Sequence, residues 1–237
     1  GDVYKRQVYI NSMPYKAAPL TPPEPNKPLQ SEPAQSGSLG STETHKEPYL
    51  GNHGITTTKV EPKPGESSMS VSALMIRLTL DDLVEESDAV VIGKVVDIFP
   101  SRKVDGKPMD VTTEVVEPWN IITDVVIEVE RYLYGKLQSS YIAVMVRGGR
   151  VGDMVMWVED EPVFNLGEEV ALFLDRMRDD ITPPEGFDRA EYFRVFRGIQ
   201  GKLGYRDGQM ITLEGNAITI SEIEKKIAEV HGDDGED

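Results

Sequence analysis

The stretch 141-YIAVMVRGGRVGDMVMWVEDEPVFNLGEEVALFL-174 decides the fold. Ile142, Val144 and Val146 alternate with Tyr141, Ala143 and Met145, the period of two that sends successive side chains to opposite faces of a strand. Gly148, Gly149 and Gly152 then interrupt the ladder. Glycines that close together admit positive φ and tight backbone approach, so the spacing predicts a bend where a strand turns a barrel corner. Pro162 stops the next extended run, Gly167 turns the chain, and Val170–Leu174 re-enters the core. The whole stretch reads as the middle of one β-barrel.

Upstream, Thr79 is an N-cap for a short helix with Asp81 and Asp82 at its positive end and Leu80, Leu83 and Val84 as its apolar stripe. Ala89–Phe99 is almost continuously apolar, a strand covered on both faces, with Gly93 as its bend. Residues 100–120 read as a long hairpin connection turning at Asp105-Gly106. Ile121–Tyr132 alternates, with Ile121, Thr123, Val125, Ile127 and Val129 facing the core and Asp124, Glu128 and Glu130 facing water. Downstream, Asp175–Arg189 is a charged loop and Tyr192–Phe196 a strand. A hairpin turns at Asp207-Gly208 between Leu203–Arg206 and Gln209–Leu213. A short strand at Ala217–Ile220 leads to a capping box at Ser221–Glu224 and a terminal helix carrying Ile223, Ile227 and Val230. The fold class is mainly β: one barrel with a short helix before it and a helix after it.

The chain has 237 residues, but apolar periodicity begins only near residue 71. Ten of the sixteen prolines lie in residues 1–70, and a segment of that composition buries too little surface to offset its ordering entropy. The expected organisation is a Pro/Ser/Thr-rich tether over 8–70, a barrel domain over 71–232 and an acidic tail over 233–237. The first seven residues, GDVYKRQ, match a translated transposon end used in sequencing libraries. The natural start is therefore expected to lie elsewhere. No run approaches the ~18 apolar residues a spanning helix needs.

Residues 1–70 hold seven Lys/Arg and seven Asp/Glu, whereas 71–237 hold 18 and 34, so the net charge of −16 resides in the barrel and acidic tail together. A polyanionic surface repels phosphate backbones and argues against nucleic acid as a partner. The absence of cysteine removes disulfides, thiolate chemistry and cysteine-ligated metals. His45 and His53 fall in the tether and His231 at the end of the last helix, where it partners the helix dipole. With no histidine from 54 to 230, Ser-His-Asp and histidine-zinc sites are excluded from the predicted domain.

What remains is a candidate binding surface of Arg147, Gly149, Arg150, Trp157, Glu159, Asp160 and Glu168. Arg147 and Arg150 either take an anion or balance nearby acids. Glu159-Asp160-Glu161 and Glu168-Glu169 flank the Pro162 turn with oxygen ligands of the kind Ca²⁺ accepts, but without calcium-loop spacing, so a solvated acidic rim is the reading and no cofactor is expected. Glu168 alternatively caps turn amides. Phe164 and Phe193 read as core, and Trp157, with acidic neighbours, as core or ligand-facing.

Three phrases carry a resemblance: Gly148-Gly149-Arg150-Val151-Gly152, Pro162-Val163-Phe164-Asn165-Leu166-Gly167-Glu168, and Gln200-Gly201-Lys202. With SDAVVIGKV and ITDVVIEVERYLYGK they resemble netrin-like modules, the OB-type barrels of metalloproteinase inhibitors and netrin C-terminal regions. More closely they resemble a poorly characterised family of secreted or surface prokaryotic proteins sharing the GG-x-x-G, P-x-F-x-x-G-E and Q-G-K motifs. The resemblance spans about residues 79–230. It implies an OB-like barrel and a non-catalytic binding domain, extracellular or in the cell envelope, that engages a protein or surface glycan. It implies membrane attachment only through a signal or anchor upstream of the sequence. The inhibitors' N-terminal cysteine has no counterpart here. The rival from another class is a hydrolase using carboxylates alone, which requires two converging carboxyls of raised pKa in a cleft.

Overall fold

The structure, a computed structural model, describes residues 49–72, 77–104, 120–135, 137, 139–177, 181–206, 209–212 and 215–232. Its strands are β1 (Ser67–Val71), β2 (Ala89–Ile98), β3 (Arg102–Lys103), β4 (Ile121–Tyr134), β5 (Tyr141–Arg147), β6 (Gly149–Val151), β7 (Met154–Val158), β8 (Glu169–Arg176), β9 (Tyr192–Val195), β10 (Lys202–Arg206), β11 (Gln209–Ile211) and β12 (Ala217–Thr219). Helix α1 covers Leu80–Glu86 and α2 covers Ile220–His231. The turns expected at Asp105-Gly106 and Asp207-Gly208 lie outside the described residues, as do 1–48 and 233–237.

Five strands close on themselves in the order β8-β2-β4-β5-β9, with β9 pairing back to β8. Counted along the chain, the first barrel strand joins the second, the second the third, the third the fifth, and the fifth the fourth, which returns to the first. That circuit is the five-stranded OB-type barrel. It is antiparallel except between β5 and β9, which run parallel with Ala143 opposite Tyr192. A third and a fifth strand placed side by side have the same direction in such a path, so closure itself imposes the one parallel pair.

The period-two residues fill the barrel: Val91, Val95, Val125, Ile127, Ile142, Val144, Val170, Leu172 and Phe193 form one buried cluster. Strand β2 is apolar on its other face too, because Val90 and Ile92 meet Leu83, Val84, Ile223 and Ile227 of the two helices. Gly93 sits at a register shift between β2 and β4. A Cβ there would press on the Glu128 carbonyl and lie 2.7 Å from Ile127 Cγ2, so the strand bends where only glycine fits.

Strand β4 departs from the expected half-wet pattern. Every residue from Ile121 to Ile127 is buried, Asp124 included. The face expected to meet water is roofed by Met177, Phe187 and Tyr192, with Tyr49 and Phe99 packed against them. Glu128 and Glu130, farther along, are exposed as expected.

Two further expectations are corrected. The opening stretch leaves the barrel after β5, since β6 and β7 form a separate three-stranded sheet with β1 in the order β1-β7-β6. The folded part also begins well before residue 71. Strand β1 runs parallel to β7, Thr57 bridges Asn165, the Thr58 amide donates to the Phe164 carbonyl at 2.9 Å, and Ile55 packs on the barrel core. Residues 49–72 are thus a strap along the barrel, held by backbone pairing that proline-rich composition conceals.

The helices start on capping boxes. Thr79 accepts from the Asp82 amide as expected, while α2 is capped by Thr219 with Glu222, two residues before the expected box. Thr-x-x-Glu and Ser-x-x-Glu overlap in this sequence, and β12 delivers Thr219 in the extended conformation an N-cap needs. His231 docks the end of α2: its ring stacks on Tyr134 at 4.1 Å and Nε2 donates to the Val84 carbonyl at 3.0 Å.

Candidate functional site

Two of the three motifs meet in space. Lys202 donates to the Val163 carbonyl and to Glu168 Oε1, each at 2.6 Å, and its ammonium lies 4.8 Å from the centre of the Phe164 ring. Glu168 also accepts from the Asn165 amide at 3.0 Å. Phe164 is buried in the barrel, so this cation is held over an aromatic face by an acid, a carbonyl and a ring. Gln200 accepts from the Leu78 amide at 2.9 Å. A Cβ on Gly201 would strike the Phe196 carbonyl. P-x-F-x-x-G-E and Q-G-K are therefore two halves of one interlock joining the segment before β8 to the start of β10. The reading of Glu168 as a turn cap agrees with this geometry, and its neighbour Glu169 points away into solvent.

GG-x-x-G turns the chain out of the barrel. Gly148 and Gly149 have φ of 110° and 133°. A Cβ on Gly149 would run into Ser101 Oγ and lie 2.6 Å from Thr123 Oγ1. Those two hydroxyls are 2.9 Å apart, Thr123 donates to the Gly148 carbonyl at 2.8 Å, and Ser101 accepts from the Arg150 amide at 3.1 Å. The absent side chain of Gly149 leaves the space in which this hydroxyl pair sits.

The two arginines of the predicted surface are engaged internally. Arg147 pairs with Glu161 through Nε and with Asp160 at 3.3 Å. The Asp160 carbonyl accepts from the Ile199 amide at 2.8 Å, which fixes the turn after β7 against residues 198–199. Burial pushes the Glu161 carboxyl above its usual range, an effect that Arg147 only partly offsets. Arg150 pairs with Glu66 and donates to the Glu61 carbonyl at 2.8 Å, tying β6 to the strap. Of the seven residues, Trp157 and Glu159 are left on the surface, Trp157 with 47% of its area exposed. Of the acids around Pro162, Asp160 and Glu161 converge only on Arg147, and among the described residues no group of three or more His, Asp and Glu is placed to hold a metal ion.

Sequence reasoning missed two charged clusters. Asp97, 1% exposed, accepts from the Tyr49 hydroxyl at 2.9 Å, the His53 amide at 3.1 Å, His53 Nδ1 at 2.7 Å and the Ile98 amide at 2.9 Å. Burial works to raise its pKa, but these donors outweigh it and hold the carboxyl below its ordinary value. His53, expected in the free tether, is the strap's main fastening, its ring 4.4 Å from that of Phe99. Asp124 accepts from Tyr192 at 2.6 Å and from Arg102 Nε at 2.8 Å, and Arg102 also reaches the Thr182 carbonyl at 2.7 Å. Burial and the facing Asp124 charge push the Tyr192 hydroxyl well above its ordinary pKa. An aspartate inside an apolar run, as in Val95-Val-Asp-Ile-Phe99, was the available signal in both strands.

A cleft of about 350 Å³ opens between α1 and the β10–β12 hairpins, lined by Leu80, Leu83, Leu203 and Ile218 with Thr79 and Gln200 among its polar groups. Among the described residues its lining includes no carboxylate. Among the described residues the carboxyls of raised pKa are the partly buried Glu161 and Asp175, which face separate arginines, Arg147 and Arg194, the latter at 2.8 Å from Asp175. No protein-family model matches the chain, and no curated protein matches it. No helix among the described residues is long and apolar enough to cross a membrane.

Proposed function

We propose that the chain is a non-catalytic binding domain carried on its proline-rich N-terminal segment, acting outside the cell or in the cell envelope and belonging with the netrin-like surface proteins it resembles. The observation that carries this reading is the contrast between Trp157 and the charged residues around it. Arg147, Arg150, Asp160, Glu161 and Glu168 are consumed in contacts that hold loops together, whereas Trp157 stands exposed on the central strand of the small sheet. Burying so large a ring inside the protein would be favourable, and leaving it in water is characteristic of a contact residue. The raised carboxyls bound to separate arginines, and a cleft whose described lining holds no acid, weigh against the hydrolase alternative. The nucleic-acid alternative is weakened twice, by the charge of −16 and by the roof over the outer face of β4 and β5, the second and third strands with which OB-type barrels take oligonucleotides.

The test compares the intact chain with Trp157→Ala in retention on immobilised cell-surface extracts and glycans. The variant is expected to keep the wild-type melting temperature and to lose the retained partner. Equal retention by both proteins, or a hydrolytic activity abolished by Glu161→Gln, would overturn the proposal.

A further inference from the structure

The strap has two parts with different fastenings. Residues 57–72 are held by backbone pairing: the Thr57–Asn165 bridge, the Thr58 amide on the Phe164 carbonyl, and β1 along β7. Residues 49–55 are held chiefly at one carboxylate, for Asp97 accepts from the Tyr49 hydroxyl, the His53 amide and His53 Nδ1. Two rings complete the contact. Tyr49 lies 6.0 Å from Tyr141 and 5.8 Å from Phe187 between ring centres, and His53 lies 4.4 Å from Phe99. Asp97 stands opposite Val126 of β4, which belongs to the cluster on the outer face of β4 and β5. That is the face on which OB-type barrels take their ligands.

We infer that Asp97, with Phe99, Tyr141 and Phe187, is a recognition site for an extended peptide of a partner protein, and that residues 49–55 occupy it in cis as a removable cover. The inference rests on the binding-domain reading above and adds to it a site, a partner class and a means of control. Two unequal costs make the segment a cover that exchanges. Lifting it uncovers little: Leu50, Asn52, His53 and Gly54 are already exposed, Leu50 at 85%, and beside the Tyr49 ring only Ile55 of this segment packs on the barrel core. Segments with so few buried contacts open at a small part of the global unfolding free energy. Asp97 is the opposite case. Without the strap it keeps the Ile98 amide as its donor and sits among aromatic rings, where a carboxylate short of hydrogen bonds is costly. The site therefore favours replacement of its cover by another segment that brings donors.

What the site offers sets the occupant's chemistry. An anionic floor selects hydrogen-bond donors and cations and rejects acids. The rings of Phe99, Tyr141 and Phe187 select planar side chains, which pack against them in tilted arrangements like those of Tyr49 and His53. Tyr49 and His53, four residues apart, meet both requirements, so the strap is itself the template for the partner. The segment that displaces it carries a phenol and, at the same spacing, an imidazole or guanidinium. The His53 amide shows the third contact, a backbone donor that any residue but proline supplies.

The probe is a labelled peptide with the strap's own sequence, YLGNHGITTTK of residues 49–59. It is titrated to about 1 mM against the full chain and against the full chain carrying Tyr49→Phe and His53→Ala. In the wild type the cover competes at the millimolar effective concentration of a short linkage, so the peptide binds weakly. The double variant lacks two cis donors and is expected to bind it about tenfold or more tightly. The same two changes made in the peptide, or Asp97→Asn added to the double variant, are expected to weaken binding about tenfold, and His53→Glu in the peptide to abolish saturation. In the wild-type chain the His53 amide is expected to exchange its hydrogen about 100-fold or more faster than the amides of Val125 and Ile127. Equal affinity for the two proteins, indifference to the peptide's phenol and imidazole, or a His53 amide that exchanges only with those of β4 overturns the inference. Should Asp97→Asn fail to fold, the peptide variants carry the same decision. If the peptide is silent while Trp157→Ala still loses its retained partner, the strap site falls and the binding-domain reading stands. If neither readout responds, both fall.

Discussion

Asp97 takes four hydrogen bonds in a site 1% exposed, and three of them come from the strap. Replacing it with alanine strands the Tyr49 hydroxyl and the His53 amide, at about 1–3 kcal/mol for the unsatisfied donors. The pH dependence has a definite sign. Its folded pKa lies below the ordinary carboxylate value. The stabilisation is therefore fully present above about pH 4 and is lost as pH falls through the folded value. Asp97→Asn does not titrate, so in urea melts its deficit against the wild type should be greatest near neutrality and shrink below about pH 4. A constant deficit across that range would show that the carboxylate charge is not what the strap holds. At Gly149 the arithmetic is steric. Gly149→Val adds β-branched bulk at φ 133°, against Ser101 and Thr123, and strain alone costs about 1–3 kcal/mol. Its melting temperature should fall, with no ligand required to see the effect. The glycine could be read from its neighbours in the chain, because local density of glycine already signals a bend. The burial of Asp97 could not, because the residues that satisfy it lie 44 to 48 positions away.

At the scale of elements, the strap and the motif interlock each have a measurable weight. A chain beginning at Tyr49 keeps every contact described and should melt with the full chain. One beginning at residue 73 loses β1, the Thr57–Asn165 bridge, Ile55 and the donors to Asp97. A loss of about 3 kcal/mol or more corresponds to a drop of roughly 6–12 °C in a protein of this size. An unchanged midpoint would return these residues to the tether that their composition suggests. Lys202→Met keeps the aliphatic stem over Phe164 but leaves Glu168 and the Val163 carbonyl without their cation. Its midpoint should fall by a few degrees, and Glu168→Gln added to Lys202→Met should cost little more, since the partners act as a unit. Additive losses would show that the two motifs are independent. Strand periodicity gave β2, β4, β5 and β8 without the structure, and Thr-x-x-Asp gave α1. Strap pairing was not legible because backbone hydrogen bonds leave no residue signature, and Thr57, Thr58 and Ser67–Val71 offer only one buried apolar side chain among them.

For the whole molecule, the −16 charge falls on residues 71–237, and the half-buried ion pairs of the barrel are already formed. Net self-repulsion should then outweigh the surface pairs, each of about 0–1 kcal/mol. The melting temperature should rise as sodium chloride increases from about 20 to about 500 mM. A falling midpoint would mean that screened attractions dominate. What the sequence by itself determined is what depends on near neighbours: strand and helix periods, caps, glycine bends, the acidic field and the absence of cysteine chemistry. Tertiary structure decided how distant parts are joined. It closed five strands in the OB-type circuit and roofed β4 with the 177–192 segment. It drew the strap onto Asp97, turned β6 and β7 out of the barrel, and left Trp157 exposed on a second sheet. The reason is physical. A period of two says that a strand has two faces, but whether a face meets water, a roof or a ligand depends on chain segments far away in the sequence.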